Sequence, residues 1–288
     1  MNTELSFIIL SFNEEMHLGR LLESIRNLNA RTYVLDSGSN DRTLEIAAKY
    51  GAEVAYSKFE NHPKQWAYAL SVFPVTTPWT VGLDSDQIVM PELVELLAGF
   101  KDESVLAGVD GIYFNRKNYF KGRWIKHGGY FPKYLLKMFR TGVGFSDLNE
   151  NMDHRFVVPG KTIVWTSGYL KEENLKENRI SFWIDKHNRY SDQVAREEVE
   201  RKLRLRDQTI RAKLFGNPDQ RTAFLKRIWW NLPLFVRPFL YFTHRYIFQL
   251  GFLDGREGLI FHFLQALWFR FVVDIKISEL ESEVKENN

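Results

Sequence analysis

The first hundred residues alternate short apolar segments with amphipathic ones, and this alternation limits the possible folds more than any other feature. The apolar, β-favouring segments are predicted to be buried strands, and the segments with apolar residues every three or four positions are predicted to be helices. The predicted strands are Leu5–Leu10, Thr32–Leu35, Val54–Tyr56 and Trp79–Leu83. Such alternation predicts an α/β fold with a doubly wound, mostly parallel sheet, whose ligands bind beyond the carboxyl ends of the strands.

Polar residues that can carry chemistry follow three of these strands. Asn13 and Glu14 follow the first strand, Asp36 follows the second, and Asp84 and Asp86 follow the fourth. In extended backbone, residues i and i+2 point the same way, so the last two carboxylates are expected to converge. A carboxylate pair suits Mg²⁺ or Mn²⁺ shared with substrate phosphates. The alternative is that these acids end a strand and cap the following helix.

Several other nucleotide sites do not fit the sequence. The first strand is not followed by G-x-G-x-x-G, which argues against a dinucleotide site. Gly160–Thr162 looks like the end of a P-loop, but Arg155 stands where its first glycine should be. The loop Ser11–Glu15 lacks the glycines with which a sugar nucleotidyltransferase cradles a triphosphate. What remains is a fold that holds a diphosphate through a metal.

Residues 1–140 resemble the nucleotide-binding half of a family 2 glycosyltransferase with the GT-A fold. Several motifs occur in the order and spacing of that family, which is more specific than any one of them. The motifs are SFNEE at residues 11–15, DSGSNDRT at residues 36–43 and LDSD at residues 83–86.

The resemblance implies roles for individual residues. Asp36 is expected to bond the uracil ring of a UDP-sugar, and its alternative role is that of a turn-forming aspartate. Asp84 and Asp86 are expected to serve the ribose or diphosphate and the divalent metal. Gln65, on a predicted helix, is expected to face the donor, unless that helix is an ordinary surface helix. Gln87 departs from the family pattern, in which many relatives carry glutamate at this position.

Asn13 and Glu14 are likewise predicted to line the nucleotide site, since both lie in the SFNEE motif after the first strand.

A narrower resemblance, to bacterial lipopolysaccharide-core and surface-polysaccharide glucosyltransferases, covers Gly128–Pro132 and Leu136–Arg140. An inverting transferase needs a base to take the proton from the acceptor hydroxyl, and a carboxylate is the usual choice. By position, Glu150 matches the base of that group, with Asp153 second and Asp147 third. The alternative is that these are loop acids facing water.

The second half begins with a predicted helix whose run Lys186–Tyr190 matches the same narrower group. Lys186, His187 and Arg189 are therefore expected to hold the leaving diphosphate as its charge grows. A solvated helix face is the competing account. Arg196–Lys213 has mixed charge and helical apolar spacing, which predicts a surface helix and no nucleic-acid partner.

Two aromatic-rich segments, Trp229–Phe252 and Leu259–Val273, are predicted helices that do not form clean membrane spans. Aromatic and basic residues along amphipathic helices suit a monotopic membrane surface. Packing on the catalytic domain or on a second subunit is the alternative. The expected domains are thus a GT-A catalytic domain over residues 1–180 and a C-terminal aromatic-rich helical region over residues 181–288.

Composition agrees with a globular protein of moderate size. The 288 residues are 44% hydrophobic, and 39 basic residues balance 36 acidic ones. The chain has no cysteine, which excludes disulfides and thiolate nucleophiles. The first predicted strand begins close to Met1, which leaves no room for a signal peptide. We therefore expect a cytoplasmic protein, peripheral on the cytoplasmic face of the inner membrane.

These patterns predict an inverting, metal-dependent glycosyltransferase. The donor would be a nucleotide-sugar, UDP-linked, the cofactor Mg²⁺ or Mn²⁺, and the product a β-linkage on a glycolipid or polysaccharide acceptor such as lipopolysaccharide core. The rivals are a sugar nucleotidyltransferase and a non-catalytic module that binds nucleotide-sugars or membranes. The sequence does not choose the donor sugar, the acceptor or the oligomeric state.

Overall fold

The computed structural model describes residues 4–101, 106–149, 154–203 and 209–286, with side chains as far as Val284. Their contacts divide the chain into two compact units. The first contains the described residues of Met1–Lys117, Lys133–Leu148 and Asp153–Leu175, and the second contains Asn118–Pro132, Asn149 and the described residues from Lys176 onward. The division therefore falls five residues before the expected boundary, and the second unit also takes in the loop that joins two strands of the first.

Strands form where the sequence has short apolar, β-branched or aromatic runs, and the four strands predicted within the first hundred residues begin and end within one residue of the predicted bounds. The strands are β1 (Leu5–Ser11), β2 (Arg31–Asp36), β3 (Glu53–Tyr56), β4 (Trp79–Asp84), β5 (Gln87–Val89), β6 (Val109–Phe120), β7 (Arg123–Trp124), β8 (Tyr134–Arg140), β9 (Phe145–Ser146), β10 (Phe156–Val157), β11 (Lys161–Val164) and β12 (Leu170–Glu172).

One mixed sheet organises the first unit. Its order is β3-β2-β1-β4-β8-β6-β12-β5, in which β3, β2, β1 and β4 are parallel. β8 is antiparallel to both β4 and β6. The central strands are apolar on both faces, and two buried clusters cover those faces, as a doubly wound sheet requires. The predicted doubly wound, mostly parallel α/β sheet is confirmed.

The helices that cover the sheet have amphipathic sequences, whereas those of the second unit carry more aromatic residues. The helices are α1 (Leu18–Ile25), α2 (Thr43–Lys49), α3 (His62–Val72), α4 (Pro91–Ala98), α5 (Ile180–Lys202), α6 (Pro218–Trp230), α7 (Arg237–Thr243), α8 (Gly255–His262) and α9 (Phe269–Glu286). π-helical turns at His244–Phe248 and Phe263–Trp268 extend α7 and join α8 to α9.

The core of the second unit lies between α5 and α9. Trp183, Phe269 and Val273 belong to its buried apolar cluster. The helix predicted over Arg196–Lys213 is only partly correct, because α5 ends at Lys202. Leu203, the first residue after α5, is half exposed, so the apolar face of the helix is no longer covered at its end.

By length and composition alone, one helical stretch among the described residues, Gly251–Val284, is long and apolar enough to cross a membrane. Less than half of its most apolar window, 44%, is buried within the protein. Length and apolarity therefore do not separate a spanning helix from a packed one here.

Candidate active site

The loops that carry the predicted site residues meet at one edge of the sheet because of strand register. β1 pairs with β2 so that Ser11 lies opposite Asp36, and it pairs with β4 so that Leu10 lies opposite Asp84. The three parallel strands thus end side by side. Ligands of doubly wound sheets bind in the crevice beyond this edge.

The buried carboxylate of Asp36 holds the loop after β2 in shape. Its Oδ2 atom accepts the backbone N–H groups of Gly38 and Ser39, both at 2.7 Å. Its Oδ1 atom accepts the hydroxyl groups of Ser39 and Ser11, the latter at 3.1 Å. A carboxylate has about four acceptor positions, and these donors occupy them. Recognition of a base by Asp36 stays a prediction, beside this structural role.

Asn13 joins the loop after β1 to the loop after β2. Its backbone N–H donates to the Ser39 hydroxyl at 2.7 Å, and its side-chain Oδ1 accepts the N–H of Asn40 at 2.8 Å. Its φ of 55° lies in the left-handed region, which asparagine tolerates better than most residues. The Asn13 side chain is therefore part of the frame of the site.

Glu14 anchors a buried histidine. Its carboxylate contacts Nδ1 of His17, whose Nε2 accepts the backbone N–H of Leu175 at 2.8 Å. Since Nε2 accepts, Nδ1 carries the proton and donates to Glu14. This chain of contacts ties the loop after β1 to the end of the first unit, and a role of Glu14 toward a nucleotide stays a prediction.

Gln65 lies on α3 and is buried. Its Nε2 donates to the Ser37 hydroxyl and to the Ser57 carbonyl, each at 3.0 Å. The amide thus fastens α3 to the segments after β2 and β3. The contact of Gln65 with a sugar donor stays a prediction.

Asp84, the last residue of β4, is flanked by the side chains of Lys137 and His62. Its Oδ2 accepts from Nζ of Lys137 at 2.8 Å, and its Oδ1 lies 3.5 Å from Nε2 of His62. Burial raises the pKa of Asp84, but the ammonium of Lys137 and the hydrogen bond and charge of His62 outweigh it, so the pKa lies well below the usual 3.8. Asp84 is therefore a carboxylate with a built-in counter-charge.

His154 adds a second imidazole to this cluster. It stacks on Trp66 at 5.2 Å between ring centroids and meets His62 edge-on at 5.4 Å. Its Nδ1 lies 3.2 Å from the Ser146 hydroxyl, which itself donates to a backbone carbonyl, so Nδ1 is the donor. Burial lowers the pKa of His154 well below 6.5, and the nearby charges of His62 and Lys137 lower it further. The ring is neutral.

Asp86 lies in a turn and has different neighbours from Asp84. The chain leaves the extended conformation after Asp84, so the expected convergence of the two carboxylates by strand alternation does not apply. The Asp86 Oδ2 atom accepts from Nδ2 of Asn174 at 3.2 Å, and its carbonyl accepts the N–H of Glu173 at 3.0 Å. Asp86 is thereby held against the segment that follows β12.

The residues of this turn fit a divalent cation of a particular kind. Among the described residues, no group of three or more His, Cys, Asp or Glu side chains is placed to hold a metal. Mg²⁺ that takes most of its ligands from substrate phosphates and water needs only one or two carboxylates. Asp86 is the better ligand of the pair, since Lys137 already neutralises Asp84. These residues therefore fit a cation that is shared with substrate better than a metal ion held by protein ligands alone.

Of the three predicted bases, Asp147 alone lies among the described residues. Glu150 and Asp153 lie outside the described residues. Asp147 lies next to β9, is 4% exposed, and its backbone N–H donates to the Arg155 carbonyl at 3.1 Å. Asp147 is therefore a buried residue of the first unit.

Lys186, His187 and Arg189 lie on α5, in the second unit. Lys186 pairs with Glu177 at 2.7 Å. His187 stacks on Trp183 at 3.6 Å, and burial lowers its pKa from 6.5 to about 4. Arg189 is exposed. A role for these three in holding a diphosphate stays a prediction, and the contacts of His187 are those of a core residue.

Sequence reasoning did not single out Lys137, His62 or His154 as site residues. For Lys137 a signal existed, because a lysine inside the apolar strand YLLKMFR requires a buried anionic partner. His62 and His154 carry no such signal. Their approach to Asp84 depends on where α3 begins and on how the segment before β10 packs.

Residues 6–154, more than half of the chain, match the family described as glycosyl transferase family 2. An uncharacterized glycosyltransferase of Rickettsia conorii is 23% identical over 297 residues, which cover 100% of this chain and 94% of the relative. The lipopolysaccharide core biosynthesis glycosyltransferase LpsC of Rhizobium meliloti is 28% identical over 199 residues, covering 62% of this chain and 68% of LpsC.

One solved structure similar to this chain is that of residues 1–349 of TarS from Staphylococcus aureus in complex with UDP. This match covers 99% of this chain and 92% of that chain, at 15% identity and a TM-score of 0.45. Glucosyl-3-phosphoglycerate synthase from Mycobacterium tuberculosis, in complex with Mn²⁺ and UDP-glucose, matches 41% of this chain and 44% of that chain, at 22% identity and a TM-score of 0.31.

The family match spans the parallel strands, the loops at their carboxyl ends and the acidic turn after β4. The GT-A fold class expected from the sequence is confirmed by the match together with the doubly wound sheet. The chain belongs to glycosyl transferase family 2.

Proposed function

We propose that this glycosyltransferase is an inverting, metal-dependent enzyme that moves a sugar from a UDP-linked donor to a lipid-linked or polysaccharide acceptor. The observation that carries the proposal is the acidic turn after β4, where Asp84 and Asp86 follow a buried parallel strand and Lys137 and His62 lie against the first carboxylate. This charge pattern suits a diphosphate, which brings negative charge, and a cation that bridges it to the turn.

The reaction requires an acceptor oxygen to attack the anomeric carbon while the bond from that carbon to the diphosphate breaks. Asp86 would hold the cation, which neutralises charge on the leaving diphosphate when bound. A carboxylate near the acceptor hydroxyl takes its proton, and Glu150 is our first candidate, with Asp153 second. Attack from the face opposite the leaving group inverts the anomeric centre and forms a β-bond from an α-linked donor.

The acceptor class is proposed from the relatives. LpsC is named for lipopolysaccharide core biosynthesis. A glycolipid or polysaccharide acceptor of that kind would be met at the cytoplasmic face of the inner membrane, where we propose that the protein is peripherally bound. The first unit would carry the transfer chemistry, and the second unit would contribute the attachment.

The test is a thermal-shift titration of the purified chain with UDP, GDP and dTDP, in Mn²⁺ and in EDTA. We expect a rise in melting temperature that is selective for UDP and lost in EDTA. Asp86→Asn should lose the Mn²⁺-dependent part of that rise without changing the melting temperature of the free protein. Asp185→Asn, at an exposed aspartate on α5, is the matched control and should behave as the unaltered chain.

Turnover separates the proposal from its rivals. With a UDP-sugar and an acceptor extract, a glycosyltransferase releases UDP, whereas a nucleotidyltransferase releases pyrophosphate from UTP. Binding of UDP without turnover on any acceptor would point to a non-catalytic module. No stabilisation by any nucleotide would contradict the assignment of Asp36, Asp84 and Asp86 together.

A further inference from the structure

The second unit exposes an unusual number of large apolar side chains in one stretch of chain. We call this stretch, from Phe235 to Phe263, the hairpin: α7 and its π-helical turn run out to Leu250–Gly251, and α8 runs back. Its exposed apolar residues are between 41% and 74% exposed. They are Phe235, Val236, Phe239, Leu240, Ile247, Phe248, Leu250, Phe252, Leu253, Leu259 and Phe263.

Helical spacing places four of these residues on one side of the first arm, α7 and its π-helical turn. Val236, Phe239, Leu240 and Ile247 recur at intervals of three, one and seven, which is one face of a helix. Arg245 lies on the opposite face and is buried. Phe248, the most exposed member at 74%, lies at the tip of the hairpin. Patches of this extent on soluble monomers mark interaction surfaces.

Two arginines of the hairpin, Arg237 and Arg245, point inward. Arg237, 1% exposed, donates to Asp274 at 2.8 Å and to Glu198 at 2.9 Å, and both carboxylates are buried. Arg245 donates to the Gly128 carbonyl. Burying ion pairs while leaving phenylalanine outside is unfavourable in water. The same distribution is expected of helices in a lipid environment, where charged residues face the interior.

The hairpin contains two carboxylates, Asp254 and Glu257, of which Asp254 is buried and Glu257 is partly buried. Asp254 is its only carboxylate between Phe235 and Arg256, and it is 3% exposed and hydrogen-bonded to His127. The exposed ionisable groups of that range are His244 and Arg256. An anionic lipid surface would therefore meet mainly apolar and basic groups, and the one carboxylate that reaches solvent, Glu257, lies next to the exposed Arg256.

The arms are too short, or too firmly packed, to cross a bilayer. α7 and its π-helical turn contain 7 and 5 residues, which span about 18 Å against about 30 Å of hydrocarbon. The return arm continues into α9, where Lys276 pairs with Asp192 of α5 at 2.6 Å and Val273 is fully buried. The second half of this helix is thus part of the protein core.

We propose that the hairpin inserts into one leaflet of an anionic bilayer, with Phe248 and Phe252 at the leading edge and without spanning the membrane. This inference deepens the peripheral attachment within the proposed function by naming the surface and its mode of contact. It also assigns the helix Gly251–Val284 as non-spanning.

The first experiment is flotation of the full chain with vesicles of phosphatidylglycerol and phosphatidylethanolamine. We expect the unaltered chain to float, and the double variant Phe248→Asp with Phe252→Asp to lose at least about tenfold in bound fraction. Phe215→Asp is the matched control, because Phe215 is 97% exposed in the same unit but lies outside the hairpin. Unchanged melting temperatures and UDP binding would show that all variants fold.

The second experiment reports insertion directly. The chain has no cysteine, so Phe248→Cys and Phe215→Cys each provide a single site for an environment-sensitive dye. The dye at position 248 should shift to the blue on adding vesicles, and should stay shifted in about 0.5 M salt, whereas the dye at position 215 should not respond.

Three results would overturn the inference. In the first, the double variant floats as well as the unaltered chain. In the second, salt releases the unaltered chain from vesicles and the dye does not respond. In the third, the unaltered chain is a dimer in vesicle-free solution, and the double variant is a monomer that still floats. A chain that inserts but binds no UDP would leave the inference standing and refute the proposed function instead.

Discussion

The contacts of Gln87 explain why this position carries glutamine where the family pattern has glutamate. Its side-chain Oε1 accepts the N–H of Asp84 at 3.2 Å, and its Nε2 donates to Glu172 at 2.8 Å. Glu172 is also paired with Arg116 at 2.6 Å. A glutamate at position 87 would set two carboxylates against each other. The glutamine therefore supports the turn through a neutral amide, which the sequence pattern alone could not show.

At the same scale, Lys137 sets the charge of the acidic turn. Lys137→Met should bind Mn²⁺ at least about tenfold more tightly in the absence of nucleotide, because the ammonium beside Asp84 no longer opposes the cation. Two unit charges about 5 Å apart interact by about 3 kcal/mol at an effective dielectric of about 20. Electron paramagnetic resonance titration of free Mn²⁺ measures this.

Lys137→Arg keeps the charge and serves as the control, with Mn²⁺ affinity close to that of the unaltered chain. Equal or weaker Mn²⁺ binding by Lys137→Met would show that Asp84 does not contribute to the cation site.

At the scale of elements, the buried face of α5 makes the second unit sensitive to acid. The pKa of His187 is about 4 in the folded protein and about 6.5 in the unfolded chain. The unfolded chain therefore binds the proton first, and stability is lost as the pH falls from about 6.5 to about 4. At pH 5 this histidine accounts for a loss of about 2 kcal/mol.

His187→Phe keeps the stacking on Trp183 and cannot titrate. Chemical denaturation at pH 7 and pH 5 should therefore show a smaller difference for this variant, by about 2 kcal/mol. His244→Gln, at an exposed histidine, should leave the difference unchanged. An undiminished pH effect in His187→Phe would assign the acid sensitivity to other groups.

Element boundaries followed the sequence where local preference and burial agree. β1 begins at the predicted Leu5 and ends one residue beyond the predicted Leu10, because its apolar residues are buried in the sheet. α5 ends at Lys202, inside the predicted helix Arg196–Lys213, and Leu203 directly after it is half exposed. Hydrophobic periodicity thus predicts which face of a segment can pack, while its end depends on what the rest of the chain offers.

At the scale of the whole molecule, the positions of the acidic site residues were predictable and their partners were not. Asp36 and Asp84 follow strands, and the doubly wound rule brings strand ends together. The approach of Lys137 to Asp84 depends on the antiparallel pairing of β8 with β4, which is remote in sequence. Likewise, the sequence predicted aromatic-rich segments in the second half, but only the contacts show that Arg237, Glu198 and Asp274 are buried there.

The bonds among Ser11, Asn13, Asp36, Ser39 and Asn40 form one network that spans the loops after β1 and β2. Since each loop supplies donors or acceptors to the other, neither can open alone without breaking hydrogen bonds to the other, one of which, from Ser11 to Asp36, is buried. The two loops should therefore behave as a single cooperative unit in hydrogen–deuterium exchange. A ligand that contacts only one of the loops would therefore slow hydrogen–deuterium exchange in both, although the two loops are distant in sequence.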